Sequence, residues 1–326
     1  MDNKHIFIAI IAALVLTGCG EPQQQNSITD PFIGGNVAVN LYLQNGAPPP
    51  TIYDGGKFPF GVNIVVENVG EADFGPGTDN PYVAARLEGI LPNNYGVTDA
   101  DLNLLLQERI NGAHKNFDGT ILGGQVTNFV FPQLNYQKRL VGNNLATIRG
   151  TICYDYSNLA VAQICMKDDL LENVQDSTIC SLTGDKPVHN SGGPIHVTNV
   201  IQNPLSANKI QVTFVIEHVG GMLGEFYGRS VDEDCNPSVK NTNKYRIDVQ
   251  VDAQDSGSIV QCYRLGNTNS GSLTMYSGSP QPIVCTVERS PDTTARIYTD
   301  TLTIKTKYRY GQFIEQPIVI QAVPQD

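Results

Sequence analysis

Residues Val62–Gly70 read VNIVVENVG, and Val212–Gly220 read VTFVIEHVG, 150 positions later. In the first copy Val62, Ile64 and Val66 alternate with Asn63, Val65 and Glu67. In the second, Val212, Phe214 and Ile216 alternate with Thr213, Val215 and Glu217. A period of two marks a strand with one face in a core. Both copies end in Val-Gly, where glycine suits a turn. A second echo follows at nearly the same spacing. Cys153–Met166 reads CYDYSNLAVAQICM and Lys307–Ile320 reads KYRYGQFIEQPIVI, with Tyr154 and Tyr156 matching Tyr308 and Tyr310. The chain is therefore expected to hold two domains of one topology, each with an early strand and a late hairpin.

The expected fold class is all-β: two tandem immunoglobulin-like β-sandwiches, with a jelly roll or an irregular β-domain as alternatives. The first sandwich is placed at residues 35–182 and the second at 195–326. A polar linker at 183–194, TGDKPVHNSGGP, divides them. First-domain strands are predicted near 37–44, 58–68, 82–89, 125–131, 146–156 and 160–167. Second-domain strands are predicted near 196–201, 209–218, 244–252, 258–264, 282–288, 296–306 and 313–321. One short helix is expected in the first domain. Thr98 would cap it, Asp99 and Asp101 suit its positive end, Leu102, Leu105 and Leu106 give an apolar face, and Gly112 would stop it. The chain has no Trp, which excludes the core Trp of antibody domains.

The N-terminus reads as an export signal. Lys4 and His5 precede an apolar run, Ile6–Leu16, shorter than the roughly 20 residues a spanning helix needs. It meets Leu16-Thr17-Gly18-Cys19, a lipobox-like motif in which Cys19 would carry the lipid. Residues 1–18 are then a lipoprotein signal peptide, and 19–34, polar and aperiodic, a flexible tether. The alternative is an ordinary signal peptide with a chance cysteine. The formal net charge of −11 argues against nucleic-acid phosphates, which demand basic patches.

Six cysteines remain: Cys153, Cys165, Cys180, Cys235, Cys262 and Cys285. An even number in an exported chain reads as disulfides; buried free thiols are the alternative, and no CxxC spacing supports zinc. A hairpin turning at residues 157–161 would set Cys153 opposite Cys165 and so bond them. Cys262–Cys285 and Cys180–Cys235 are the favoured remaining pairs.

Little else carries chemistry. His5 leaves with the signal, His114 stands alone, His189 and His196 flank the linker, and His218 replaces Asn68 in the repeated turn, so all read as surface or turn residues. No nucleophile elbow, P-loop or HExxH motif occurs. Asp232-Glu233-Asp234 and the pair Asp252 and Asp255 could in principle hold Ca²⁺, but lack EF-hand spacing and read as solvated loop charge. No cofactor is expected. Asn236-Pro237-Ser238 is the only sequon outline, and its proline blocks it.

Phe58–Gly75, FPFGVNIVVENVGEADFG, resembles the strand-turn signature of CARDB-type adhesion modules, which are immunoglobulin-like and sit on microbial surfaces. Ala47–Gly70, the CYDY…IC segment and the closing KYRYGQFIEQPIVI are similar to uncharacterised secreted proteins of DPANN archaea. The resemblance implies a surface role and a two-sandwich layout, and supplies no catalytic residues. The expectation is a non-enzymatic, lipid-anchored protein on the outer face of the cell membrane, displaying two β-sandwich modules for adhesion, envelope structure or ligand binding. Its partners would be the membrane, through the lipid, and a surface protein or glycan. An extracellular hydrolase or carbohydrate-binding accessory is the main alternative, and an envelope-assembly factor a third.

Overall fold

The computed structural model describes residues 30–170, 179–221, 224–229, 235, 241–255 and 257–324. The described chain is all-β. In the first half run β1 (Val39–Leu43), β2 (Thr51–Tyr53), β3 (Phe60–Asn68), β4 (Val83–Glu88), β5 (Asn103–Leu105), β6 (His114–Lys115), β7 (Ile121–Leu122), β8 (Val126–Leu134) and β9 (Asn144–Lys167). Short strands β10 (Gly184–Lys186) and β11 (Val188–Asn190) lead into the second half. There follow β12 (Ile195–Ser206), β13 (Lys209–His218), β14 (Gly224–Tyr227), β15 (Arg246–Ala253), β16 (Ile259–Cys262), β17 (Ser270–Thr274), β18 (Gln281–Glu288) and β19 (Ile297–Gln321).

The two copies of the repeated strand are β3 and β13, and their alternation is kept: Val62, Ile64 and Val66, like Val212, Phe214 and Ile216, are buried. β3 lies between β1 and β8. β13 lies between β12 and β18, with β10 and β16 at the flanks. These sheets form the outer layers of a sandwich. Its other layer is a long sheet ordered β17-β15-β19-β9-β4-β5.

The second echo, β9 and β19, forms the spine of that long sheet. They pair antiparallel from Ile297 opposite Lys167 to Ile320 opposite Asn144. At about 3.4 Å per residue a 24-residue strand is roughly 80 Å long. Each therefore starts in its own half and finishes in the other. The far end of β19 pairs with β2, Gln312 Nε2 donates to the Val39 carbonyl, and Ile314 packs at Gly150 beside Ile64. The far end of β9 pairs with β11. There Cys165 exchanges two hydrogen bonds with the Gln202 side chain of β12.

The pairing places Tyr154 opposite Tyr310, Asp155 opposite Arg309 and Tyr156 opposite Tyr308. Each strand thus faces its own counterpart in the repeat. The sheet order is correspondingly palindromic, with β4 matching β15 and β5 matching β17. An approximate two-fold axis runs through the Asp155–Arg309 pair. Residues Pro31–Asp326 cluster as one compact unit, with both halves of the long sheet in the same apolar core.

Two expectations need correction. The hairpin at 157–161 is absent, because β9 runs straight through. The helix is also absent. Thr98 N–H and Oγ1 do engage the Asp101 carboxylate as at a helix start, but only one 3-10 turn, Ala100–Leu102, forms. Asn103–Leu105 then pairs with β4, so an available sheet edge outcompetes a weak helical preference. Within residues 183–194, β10 pairs with β12, and Ser191 N–H donates to the Leu159 carbonyl.

Candidate functional site

All six cysteines are bonded. Cys262 and Cys285 join the adjacent strands β16 and β18. The Cys153–Cys165 expectation is overturned, because twelve residues along a straight strand separate the two by about 40 Å. Cys153 instead bonds Cys235 of the second half, and Cys165 bonds Cys180. The Cys180–Cys235 pairing falls with it. Gly311, opposite Cys153, is what admits the first bridge: a Cβ there would sit 2.7 Å from the Cys235 Cβ.

The tyrosine repeat builds a buried polar network around the two-fold axis. Tyr156 accepts from Ala72 N–H at 3.1 Å and donates to the Gly192 carbonyl at 3.2 Å. Its counterpart, Tyr310, lies 3.0 Å from His218 Nε2. Both hydroxyls thus reach the Val-Gly turn that ends the repeated strand, and Gly70 and Gly220 keep space for them. Tyr308 donates to Asn158 Oδ1, and Tyr154 to Gln312 Oε1. Burial pushes all four phenols upward, so they act as neutral hydrogen-bonding groups. On the axis, Arg309 Nε meets Asp155 Oδ1 at 2.9 Å, and its guanidinium stacks 3.9 Å over the Tyr82 ring. Arg229 spans the halves, donating to the carbonyls of Asp79, Tyr156 and Tyr308 and to Asn80 Oδ1.

Beside this axis lie the candidate binding surfaces. One groove of about 280 Å³ is lined by Asp248, Gln250, Ser270, Ser272, Lys305 and Lys307. A second, of about 410 Å³, includes Glu71, His114, Lys115, Ser157, Asn158 and again Lys305. Asp79 holds Lys305 Nζ at 2.8 Å and Lys307 Nζ at 3.8 Å. The hydrogen bond from Lys305, then the two ammonium charges, hold the Asp79 carboxyl below its ordinary value. Much of this lining is already engaged within the chain: Lys305 by Asp79, Ser272 by Asp248, Gln250 by Asp252, and Asn158 by Ser191 and Tyr308.

Among the described residues no group of three His, Cys, Asp or Glu side chains is arranged to hold a metal. Asp252 accepts from Gln250 and Asn269. Asp255 accepts from Gly257 N–H, Thr293 and Tyr298, so both are tied into loop structure. Cys19 and Asp232-Glu233-Asp234 lie outside the described residues. His196 Nε2 is 3.3 Å from the Gly35 carbonyl, and His114 lies in the β6–β7 hairpin. The Tyr–Asn and Tyr–Gln pairs were missed by sequence reading, although the matching positions of Asn158 and Gln312 in the second echo carry the signal. No protein-family model matches the chain, and no curated protein matches it significantly.

Proposed function

We propose that this is a non-enzymatic protein, lipid-anchored on the outer face of the cell membrane and displaying its double sandwich for adhesion, envelope structure or ligand binding. The observation that carries the exported part is the set of three disulfides, which persist in oxidising compartments. Among the described residues no helix is long and apolar enough to cross a membrane. Attachment would rest on acylation of Cys19, each buried CH₂ contributing about 0.8 kcal/mol. The grooves beside Lys305 are the surfaces at which a glycan or protein partner would bind.

Cell fractionation tests the anchor. Wild-type protein should partition with membranes and begin at Cys19, and Cys19→Ala should be soluble or uncleaved. Membrane-bound protein with a different mature N-terminus refutes the lipobox. Turnover of a glycan, peptide or ester, abolished by one carboxylate substitution, would favour the hydrolase instead.

A further inference from the structure

The two halves differ in how they connect their sheets. In the second half β17 reaches β18 through residues 275–280, whereas in the first β5 reaches β8 through residues 106–125. The extra length is spent on the hairpin β6–β7, which forms a two-stranded sheet of its own. Its turn is fixed by hydrogen bonds. Asn116 N–H donates to the Thr120 carbonyl, Gly119 N–H to the Asn116 carbonyl, and Thr120 N–H to the Asp118 carboxylate at 2.9 Å. At that turn Phe117 is fully exposed. Ile121 and Leu122 are exposed at 56% and 44%, and as successive strand residues they take opposite faces. A lone hairpin is marginally stable in water, and this one presents apolar side chains at its tip and on both faces.

The hairpin is rooted where the chain enters the fold. Glu71 accepts from the N–H groups of Ile33 and Gly34, at 3.0 and 3.2 Å, and so clamps the entering chain. One residue earlier the Gly70 carbonyl accepts from Ala113 N–H at 2.7 Å, which fixes the base of the hairpin. Pro31 and Phe32 share a groove with His114 and Lys115. Residues 20–30 separate this entry point from Cys19, and fully extended they span at most about 40 Å. An acyl chain on Cys19 therefore holds this end of the first half, hairpin included, beside the leaflet.

We propose that β6–β7 is a second membrane contact, with Phe117, Ile121 and Leu122 seated at the boundary between lipid headgroups and acyl chains. This rests on the lipid anchor at Cys19. A bilayer receives apolar side chains from the tip and both faces of a narrow finger at once, which a flat protein surface does not. Lys115 and Asp118 offset each other, so the finger adds no net charge to a chain of −11 that an anionic leaflet already repels. Hydrogen bonds from Thr120 hold the Asp118 carboxyl below its ordinary value. Asp118 thus stays ionised in the headgroup layer and keeps the insertion shallow, within the roughly 5–10 Å typical of interfacial segments.

Cys19 is the one cysteine outside the three disulfides, so the mature chain can be coupled through it to a single myristoyl-length chain. The anchor is then supplied chemically, and failure of acylation in cells, which fractionation reads, stays distinct from failure of the hairpin. One such chain gives only marginal, reversible binding, which leaves a second contact measurable. On phosphatidylcholine vesicles the coupled wild type should bind about tenfold more tightly than coupled Phe117→Ser. The chain has no Trp, so Phe117→Trp gives a single reporter. Its emission should shift to shorter wavelength on vesicles and be quenched by brominated lipid. Tyr276→Trp, exposed in the matching connection of the second half, should keep its emission in water. Equal vesicle binding by wild type and Phe117→Ser, or equal quenching of the two reporters, overturns the proposal. So does a Phe117→Trp shift that appears without vesicles as the protein is concentrated, which would seat the hairpin on a second copy, or one that requires an added envelope protein.

Discussion

Asp155 and Arg309 are each about 95% buried, because their side chains are 5% exposed. Removing one partner leaves an uncompensated charge in the sheet. Asp155→Ala should therefore cost about 3–5 kcal/mol in urea unfolding, whereas replacing both residues with apolar ones of similar volume should cost far less. Tyr156→Phe would leave Ala72 N–H and the Gly192 carbonyl unpaired, at about 1–3 kcal/mol. His218 gives a pH dependence. Burial holds its imidazole below the ordinary value, and burial does the same at His196. The unfolded chain then binds the proton more readily than the folded one. Stability from these groups is complete above about pH 6.5 and falls as the pH drops below it. His218→Asn, which copies Asn68 of the first repeat, should flatten part of that slope when unfolding midpoints are compared from pH 7.5 to 5.

The strands were legible in the sequence wherever one face is buried and the other wet. β3, β13, β15 and β18 fall within two residues of their expected bounds, because alternation survives into the structure. The two longest strands were not legible, and the cause is specific. Ser157-Asn158-Leu159 has the composition of a turn, yet Asn158 is buried and donates to the Ser191 carbonyl while accepting from Tyr308. A surface turn and a satisfied polar residue within a strand use the same residue types; only the partner across the sheet separates them. Gly311-Gln312 plays the same part in β19. The helix misreading has the mirror cause, a correct start signal followed by a strand pairing that local spacing does not encode. The polar grooves were invisible for a related reason, since Asp79, Asp248 and Lys305 come together only through the long sheet. Asn158→Leu should test the element directly. It leaves Tyr308 and Ser191 without their side-chain partner, and should lower the unfolding free energy by about 2–4 kcal/mol.

At the scale of the molecule, a duplicated sandwich is joined by strands that each half lends to the other. Fragments 31–182 and 193–324 should therefore fail to melt cooperatively when expressed alone, and should regain a cooperative transition when mixed, as judged by circular dichroism. The covalent links follow the same geometry. Cys153–Cys235 crosses between the halves over a separation of 82 residues, and in the loop-entropy account such a bridge contributes about 4.5 kcal/mol. β9 is one continuous strand paired with β19, and the disulfide map reports it. Peptide mapping under non-reducing conditions should recover Cys153 joined to Cys235, Cys165 to Cys180 and Cys262 to Cys285. A Cys153 peptide joined to Cys165 would mean that β9 folds back on itself as a hairpin, and would contradict the shared spine.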